Sequence, residues 1–412
     1  MIGYCLLSVF SASFNITAYA DGDIATGKSK AAACAGCHGA NGIGLSGEFP
    51  NLAGQKQTYL IKQLNDFKKG TRSDPTMKAM TASLSDNDVL NLAAYYASLT
   101  PSSIHQTITS TTIASKASKH EFPKSVFISM KGSGTVETFP TETVWQGGPN
   151  MLYTAITPNQ KMVLSTSPST NTLYVFDSAK GKQLAIIPVG KAPKGVKVTP
   201  NGQFAYVSNQ GSADVSVVSL KSLKVVDTIQ VKAGPHNARF TRDGKLAYVT
   251  LQGGAGIAVI DTAKRKMVRV IPVPGITGPH NLDLSFDEKT AYVRDFVHHV
   301  AVLDIKSGTV KKVIKVGNGH GGIDVSPNGR YVATAAIGAD FISVINPKTL
   351  TVKNIKVGSG PHGIRASEDS RWIYVTITKD NLIAVIDTKT MQVTKKIAVG
   401  KFPFWIAVNN NP

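Results

Sequence analysis

The chain is poor in cysteine, with three in 412 residues. That excludes a disulfide-stapled scaffold and leaves each thiol to be explained separately. Long apolar runs are missing after residue 20, which excludes a membrane-spanning helix from there on. Acidic residues are also few, 26 against 45 Lys and Arg, for a formal net charge of +19. Residues 21–100 hold 8 basic and 7 acidic side chains and residues 101–412 hold 37 and 19, so the excess belongs to the second part. Those basic residues are dispersed rather than gathered on one helix, which argues against nucleic acid. A small inorganic anion or an acidic protein suits them better. The length exceeds one ordinary core, and two or more domains are expected.

Residues 1–20, MIGYCLLSVFSASFNITAYA, are apolar and end in Ala18-Tyr19-Ala20, the small-x-small pattern of a signal-peptide cleavage site. The segment lacks a basic start, which points to a truncated N-terminus. The alternative, a short lipid-facing helix, falls short of a good span. Export to the periplasm with cleavage near Ala20 is the expectation. Cys5 leaves with that segment, and Cys34 and Cys37 remain as the one pair.

Cys34-Ala35-Gly36-Cys37-His38 is a C-x-x-C-H run, the pattern of covalent haem attachment. Its two thiols bond to the haem vinyl groups, and the imidazole one turn on is placed on the iron. A zinc knuckle would want a second Cys or His pair, yet residues 21–100 contain no other Cys or His. The opposite axial position of a high-potential iron wants a soft neutral donor, for which Met77 and Met80 are the candidates. Apolar spacing predicts helices over 23–33, 58–69 and 85–99, a three-helix wrapper in which Ser85 and Asp88 form a capping box.

Over residues 22–100 the sequence resembles the class I bacterial cytochromes c, in particular single halves of the cytochrome c4 type. The resemblance is carried by Cys34 to Gly42, by Phe49-Pro50-Asn51-Leu52-Ala53-Gly54-Gln55, and by Leu84-Ser85-Asp86 followed by Leu92-Ala93-Ala94-Tyr95-Tyr96. It implies one covalent haem c on Cys34, Cys37 and His38. It selects Met77, seven residues before Leu84, as the second axial ligand and leaves Met80 to packing. It also implies that the Pro50 carbonyl orients the His38 ring.

Residues 101–122 are rich in Ser and Thr and read as a flexible linker; His105 and His120 within it are given no role. Beyond it the chain repeats. Pro149, Pro193, Pro235, Pro279, Gly319, Pro361 and Pro403 are equivalent anchors, spaced 44, 42, 44, 40, 42 and 42 residues apart. Each interval holds four short β-branched or alternating runs bounded by turn residues, which suits one propeller blade. The last anchor is followed by one strand only, Trp405-Ile406-Ala407-Val408, so residues 124–144 are expected to complete its blade and close the ring. The expected fold is multidomain: an all-α cytochrome c domain over 21–100, then an all-β seven-bladed propeller over 123–412. Through Tyr206-Val207-Ser208-Asn209, Tyr248-Val249-Thr250 and Tyr374-Val375-Thr376 the repeat resembles the propellers named for a Tyr-Val-Thr-Asn motif. These are structurally akin to the eight-bladed haem d1 domain of cytochrome cd1 nitrite reductase, which is likewise joined to a cytochrome c domain.

Directly after the anchors come Asn150, Lys194, His236, His280, His320, His362 and Phe404. Four consecutive blades thus present a His toward one mouth of the axial channel, with His298 and His299 in a turn expected on the same face. Converging neutral imidazoles suit copper, zinc or haem iron; the alternative is four histidines hydrogen-bonded in tight turns. Further along the inner strands lie Lys197, Arg239, Asp283, Asp324 and Arg365, expected to form a mostly basic funnel for an anion. The leading expectation is a periplasmic oxidoreductase: haem c exchanging electrons with a redox partner protein, and a second centre, haem d1-like or copper, acting on a small anion such as nitrite. Its catalytic candidates are His236, His280, His320, His362, Arg239 and Arg365. The alternative is a non-enzymatic electron-transfer or cofactor-handling protein whose propeller docks a partner.

Overall fold

A computed structural model describes residues 22–44, 49–99, 126–139, 142–254 and 256–408. The expected signal peptide and linker lie outside the described residues. The first domain is helical: α1 (Ile24–Lys30), α2 (Ala35–His38), α3 (Gln57–Lys69), α4 (Pro75–Thr81) and α5 (Asp86–Ser98). α5 starts on the expected capping box, Ser85 Oγ accepting from Asp88 N at 3.1 Å and Asp88 Oδ2 from Ser85 N at 3.0 Å. α1 crosses it at Gly27, where an added Cβ would lie 2.0 Å from the Asn91 carbonyl oxygen, so only glycine permits this approach. Leu60, Ile61, Val89, Leu92 and Tyr96 fill the space between α1, α3 and α5.

The three-helix expectation is corrected by α4, which carries both methionine candidates. It is short and weakly periodic, but its start is written in the sequence: Asp74 Oδ1 accepts from Met77 N at 2.8 Å and Pro75 occupies the first turn.

The second domain is a ring of seven four-stranded antiparallel sheets among the described residues. Each innermost strand packs against those of the neighbouring blades, from Thr154–Ile156 through Pro193–Val198 round to Pro403–Val408. Burial follows radius. Inner strands such as Pro279–Leu284 are buried at every position, whereas the outermost, such as Gln392–Ala398, alternate exposed and half-buried. The last blade is composite as expected: Pro403–Val408 pairs with Val126–Met130, followed by Thr135–Phe139 and Val144–Gln146. No ladder edge is left where the chain's two ends meet.

Threonines on second strands tie one blade to the next. Thr250 Oγ1 donates to the His280 carbonyl at 2.8 Å, and Thr376 Oγ1 to the Phe404 carbonyl at 3.1 Å. The third position of the Tyr-Val-Thr motif therefore sets the backbone that follows the next anchor.

Candidate functional site: a haem crevice facing a histidine ring

Cys34, Cys37 and His38 lie on the single turn of α2, so both thiols and the imidazole face one crevice. Burial pushes the Cys34 thiol up to about 11 and the Cys37 thiol to about 12, so both are protonated at neutral pH when no haem is attached. His38 Nδ1 donates to the Pro50 carbonyl at 2.9 Å. A carbonyl can only accept, so Nε2 keeps its lone pair for iron. The loop presenting Pro50 is itself held, by Leu52 N and Ala53 N donating to the Gly42 carbonyl at 2.7 and 2.9 Å and by Asn51 Oδ1 accepting from Gly44 N at 2.7 Å. Met77 and Met80 both line the same crevice, together with Leu60, Phe67 and Leu92. An apolar cradle with two thiols, one oriented imidazole and two thioethers fits haem c.

The crevice does not open to solvent alone. It is continuous with the mouth of the propeller, and the joint cavity of about 520 Å³ is lined on the far side by Tyr153, Lys194, His236, His280, His320 and Phe404. Gly36, inside the attachment motif, sits so close that a Cβ there would be 3.2 Å from Ile337 Cγ2 and 3.5 Å from Gly319 Cα, the residue before His320. Lys131 bridges the two domains, its Nζ 4.9 Å from the Phe49 ring centroid and 5.4 Å from that of Phe404.

At the mouth the four histidines converge. Ring centroids run His236–His280 3.8 Å, His280–His320 4.9 Å, His320–His362 5.0 Å, His362–Phe404 3.8 Å, Phe404–Tyr153 5.8 Å and Tyr153–His236 5.4 Å, a closed circle. Phe296 stacks on His320 at 4.7 Å. His236 Nδ1 donates to the His280 carbonyl at 3.0 Å and His362 Nδ1 to the Phe404 carbonyl at 2.9 Å. Burial holds all four well below the ordinary histidine range, His362 at about 3, so the rings are neutral donors. Imidazoles this close, several edge to face, suit an ion.

The expected basic funnel is corrected. Arg239 Nε meets Asp283 Oδ1 at 2.6 Å, Arg239 Nη2 meets Asp324 Oδ1 at 3.3 Å, and Arg365 Nη1 meets Asp324 Oδ1 at 3.1 Å. Burial together with the two guanidinium groups holds the Lys197 amine well below its usual range. The cations expected to await an anion answer internal carboxylates, although Lys197, Arg239 and Asp283 also line a second cavity of about 350 Å³ apart from the one that joins the domains. Arg239 and Arg365 therefore stand apart from the cavity that joins the domains.

Asn150 is also misplaced by anchor counting. Its amide bonds Ser169 Oγ at 3.2 Å, and Leu152 and Tyr153 take its place at the cavity. The Thr157-Pro158-Asn159 turn recurs 42 residues later as Thr199-Pro200-Asn201, and counting from it points to those residues. His298 and His299 stack on each other at 4.0 Å outside the circle, with His299 Nδ1 3.2 Å from Asp295 Oδ2. Lys131 and Gly36 were missed because only docking of the domains gives them a role, and Phe296 because the repeat does not say which side chains touch His320. Arg294 was missed as well: fully buried, it donates to the carbonyls of Gly317 and Gly319 and pairs with Asp295 at 2.8 Å, so it fixes the loop that carries His320.

Comparison with known proteins gives the same division. The Cytochrome c family matches residues 24–100, and the YNCE-like beta-propeller family matches residues 197–289 and 287–411. Cytochrome c4 of Pseudomonas aeruginosa is 48% identical over 81 residues, which are 20% of this chain and 40% of that protein. A thiosulfate dehydrogenase electron acceptor of Stutzerimonas stutzeri is 48% identical over 65 residues, 16% of this chain and 30% of that one. The chain thus spans less than half the length of either. Among solved structures, Kuenenia stuttgartiensis hydrazine synthase aligns with a TM-score of 0.59 at 20% identity, covering 63% of this chain and 90% of that one. A functionally unknown protein from Desulfotomaculum acetoxidans aligns with 0.59 at 18% identity, covering 70% and 99%. At such identities the likeness concerns the fold alone. With the haem-attachment turn on one domain and seven closed blades on the other, the chain belongs to the YNCE-like beta-propeller family and carries a cytochrome c electron-transfer domain at its front.

Proposed function

We propose that this is an exported, periplasmic c-type cytochrome oxidoreductase in which electrons pass between the cytochrome c domain and a redox centre or ligand held at the histidine mouth of the propeller. The observation that carries this reading is the single cavity shared by Cys34, Cys37 and His38 on one side and His236, His280 and His320 on the other. Haem c, when bound, supplies one-electron exchange at its iron. Cys34 and Cys37 would tether it, and His38 and Met77 would ligate its iron, with Met80 as the second thioether at the cavity. The Pro50 carbonyl fixes the His38 tautomer, and Leu60, Phe67, Leu92 and Phe404 keep water from the cavity. The propeller histidines stay neutral and so are available as ligands. A small anion such as nitrite or a comparable nitrogen or sulfur species is the substrate class, in keeping with the basic second domain and with Lys131 and Lys194 at the cavity. Export rests on the apolar residues 1–20 and on the haem-attachment motif itself.

A second reading, a pure electron carrier that docks a partner protein on the propeller, draws on the similarity to thiosulfate dehydrogenase electron acceptors. One experiment separates them. Haem-loaded full-length protein, reduced or oxidised in turn, is mixed with nitrite, thiosulfate or sulfite while the haem absorbance is followed. Anion-dependent change that disappears in His320→Ala, with the haem spectrum intact, is expected. No response to any anion, or equal response in the variant, leaves the carrier reading.

A further inference from the structure

Four imidazoles in a dry ring must be accounted for one by one. His236 is set apart by place: its ring lies against that of His280 at 3.8 Å, but it is not one of the three whose nitrogens gather within 4.8 Å, and neither of its nitrogens is among the buried ones lacking a partner. The other three differ. One ring nitrogen from each of His280, His320 and His362 lies within 4.8 Å of the others. His280 Nδ1 and Nε2, His320 Nδ1 and His362 Nε2 are buried with no hydrogen-bond partner. Burying such groups unsatisfied is costly, and three imidazoles that each bring one nitrogen to within 4.8 Å of the others call for a partner from outside the chain. The tautomer supports this, since His362 Nδ1 gives its proton to the Phe404 carbonyl and Nε2 is left as a bare donor. Nitrogens at about 2.0–2.1 Å from a first-row ion stand roughly 3.3–3.5 Å apart, so a contraction of at most about 1.5 Å completes the set.

Resting on the reading that the propeller mouth is the exchange site, we infer that His280, His320 and His362 form a mononuclear copper site, whose fourth position opens toward the crevice of Cys34, Cys37 and His38 and takes a small anion. The metal follows from the donors. They are three neutral imidazoles with no carboxylate or thiolate in the group, and copper stands highest among divalent first-row ions for such nitrogen sets. The open position follows from charge. Neutral ligands leave the ion's full charge uncompensated, and the surrounding Tyr153, Phe296 and Phe404 rings exclude the water that would screen it. Tetrahedral sites with three protein ligands characteristically leave one position for water or substrate.

The test uses the full haem-loaded chain, stripped with a chelator and dialysed against Cu(II) or Zn(II), with metal counted by mass spectrometry and Cu(II) examined by electron paramagnetic resonance. One copper per chain is expected, with nitrogen couplings from imidazole and a spectrum that azide perturbs. His280→Ala, His320→Ala and His362→Ala each weaken copper binding by about 100-fold or more, as does the less disruptive His362→Gln. His236→Ala weakens it by less than about tenfold, since that ring only positions the His280 backbone. Copper retained in the three variants, equal loss in all four, or retention of zinc alone overturns the inference. Should copper fail to bind while anion-dependent haem oxidation still requires His320, the copper site falls and the exchange-site reading stands. Should copper bind as described while the haem ignores every anion, that reading falls instead.

Discussion

Two rings of polar side chains line the propeller axis a few residues apart along the same strands, and they meet the cost of burial in opposite ways. In the deeper ring, Arg239, Asp283, Asp324 and Arg365 are charged, and each finds its opposite inside the ring. In the ring nearer the cytochrome domain no member carries a charge, and four ring nitrogens find no partner at all. The first arrangement answers its own charges, so its role is to hold the inner strands to one another. The second is incomplete, which is how a protein holds donors ready for a ligand. Position along one strand, not residue polarity, separates structure from site.

Breaking the deeper ring should produce the largest effect. Asp324→Ala leaves Arg239 and Arg365 buried without their shared carboxylate, and a loss of about 3–5 kcal/mol in urea unfolding is expected, with the haem c spectrum unchanged in the folded fraction. Acid should separate the rings next. Burial holds folded His362 at about 3, below the ordinary 6.5, so the unfolded chain takes the proton first as pH falls. The stability this ring confers is full above about pH 6.5 and is lost on the way down toward about 3. Metal-free protein should lose about 2 kcal/mol through His362 between pH 6.5 and 5, by urea midpoints at each pH, with the other three adding loss in the same direction. Asp324, whose carboxyl is raised by burial, adds no loss in that window. The smallest effect lies outside both rings: Ser85→Ala removes the α5 cap and should cost about 1 kcal/mol, visible in haem-domain unfolding and absent from the propeller transition.

Much of this was legible beforehand. The C-x-x-C-H run needed only local spacing, the Pro50 carbonyl needed the resemblance to the cytochromes c4, and the structure has His38 on the attachment turn and bonded to that carbonyl. Seven anchors specified seven blades, and the lone strand after Pro403 required the composite one. The deeper ring was misread because a repeat pattern says which side chains share a level but not which touch: Arg239 reaches Asp324 across 85 positions of sequence. Tyr153 was missed because one blade carries an offset between anchor and inner strand. The facing of crevice and ring was beyond reach, since it depends on how two separately patterned domains dock, through contacts such as Gly36 on Ile337 that no periodicity encodes.

The central claim is that the haem crevice and the histidine ring share one space. It is tested most directly by the midpoint potential of haem c in the full chain, with and without one equivalent of copper. A positive ion across the shared cavity stabilises the electron-rich form of the haem, so the potential should rise on copper binding and stay unchanged when His320→Ala protein is given the same copper. Copper bound at one per chain with no movement of the potential would contradict the account, because crevice and ring would then be electrically separate.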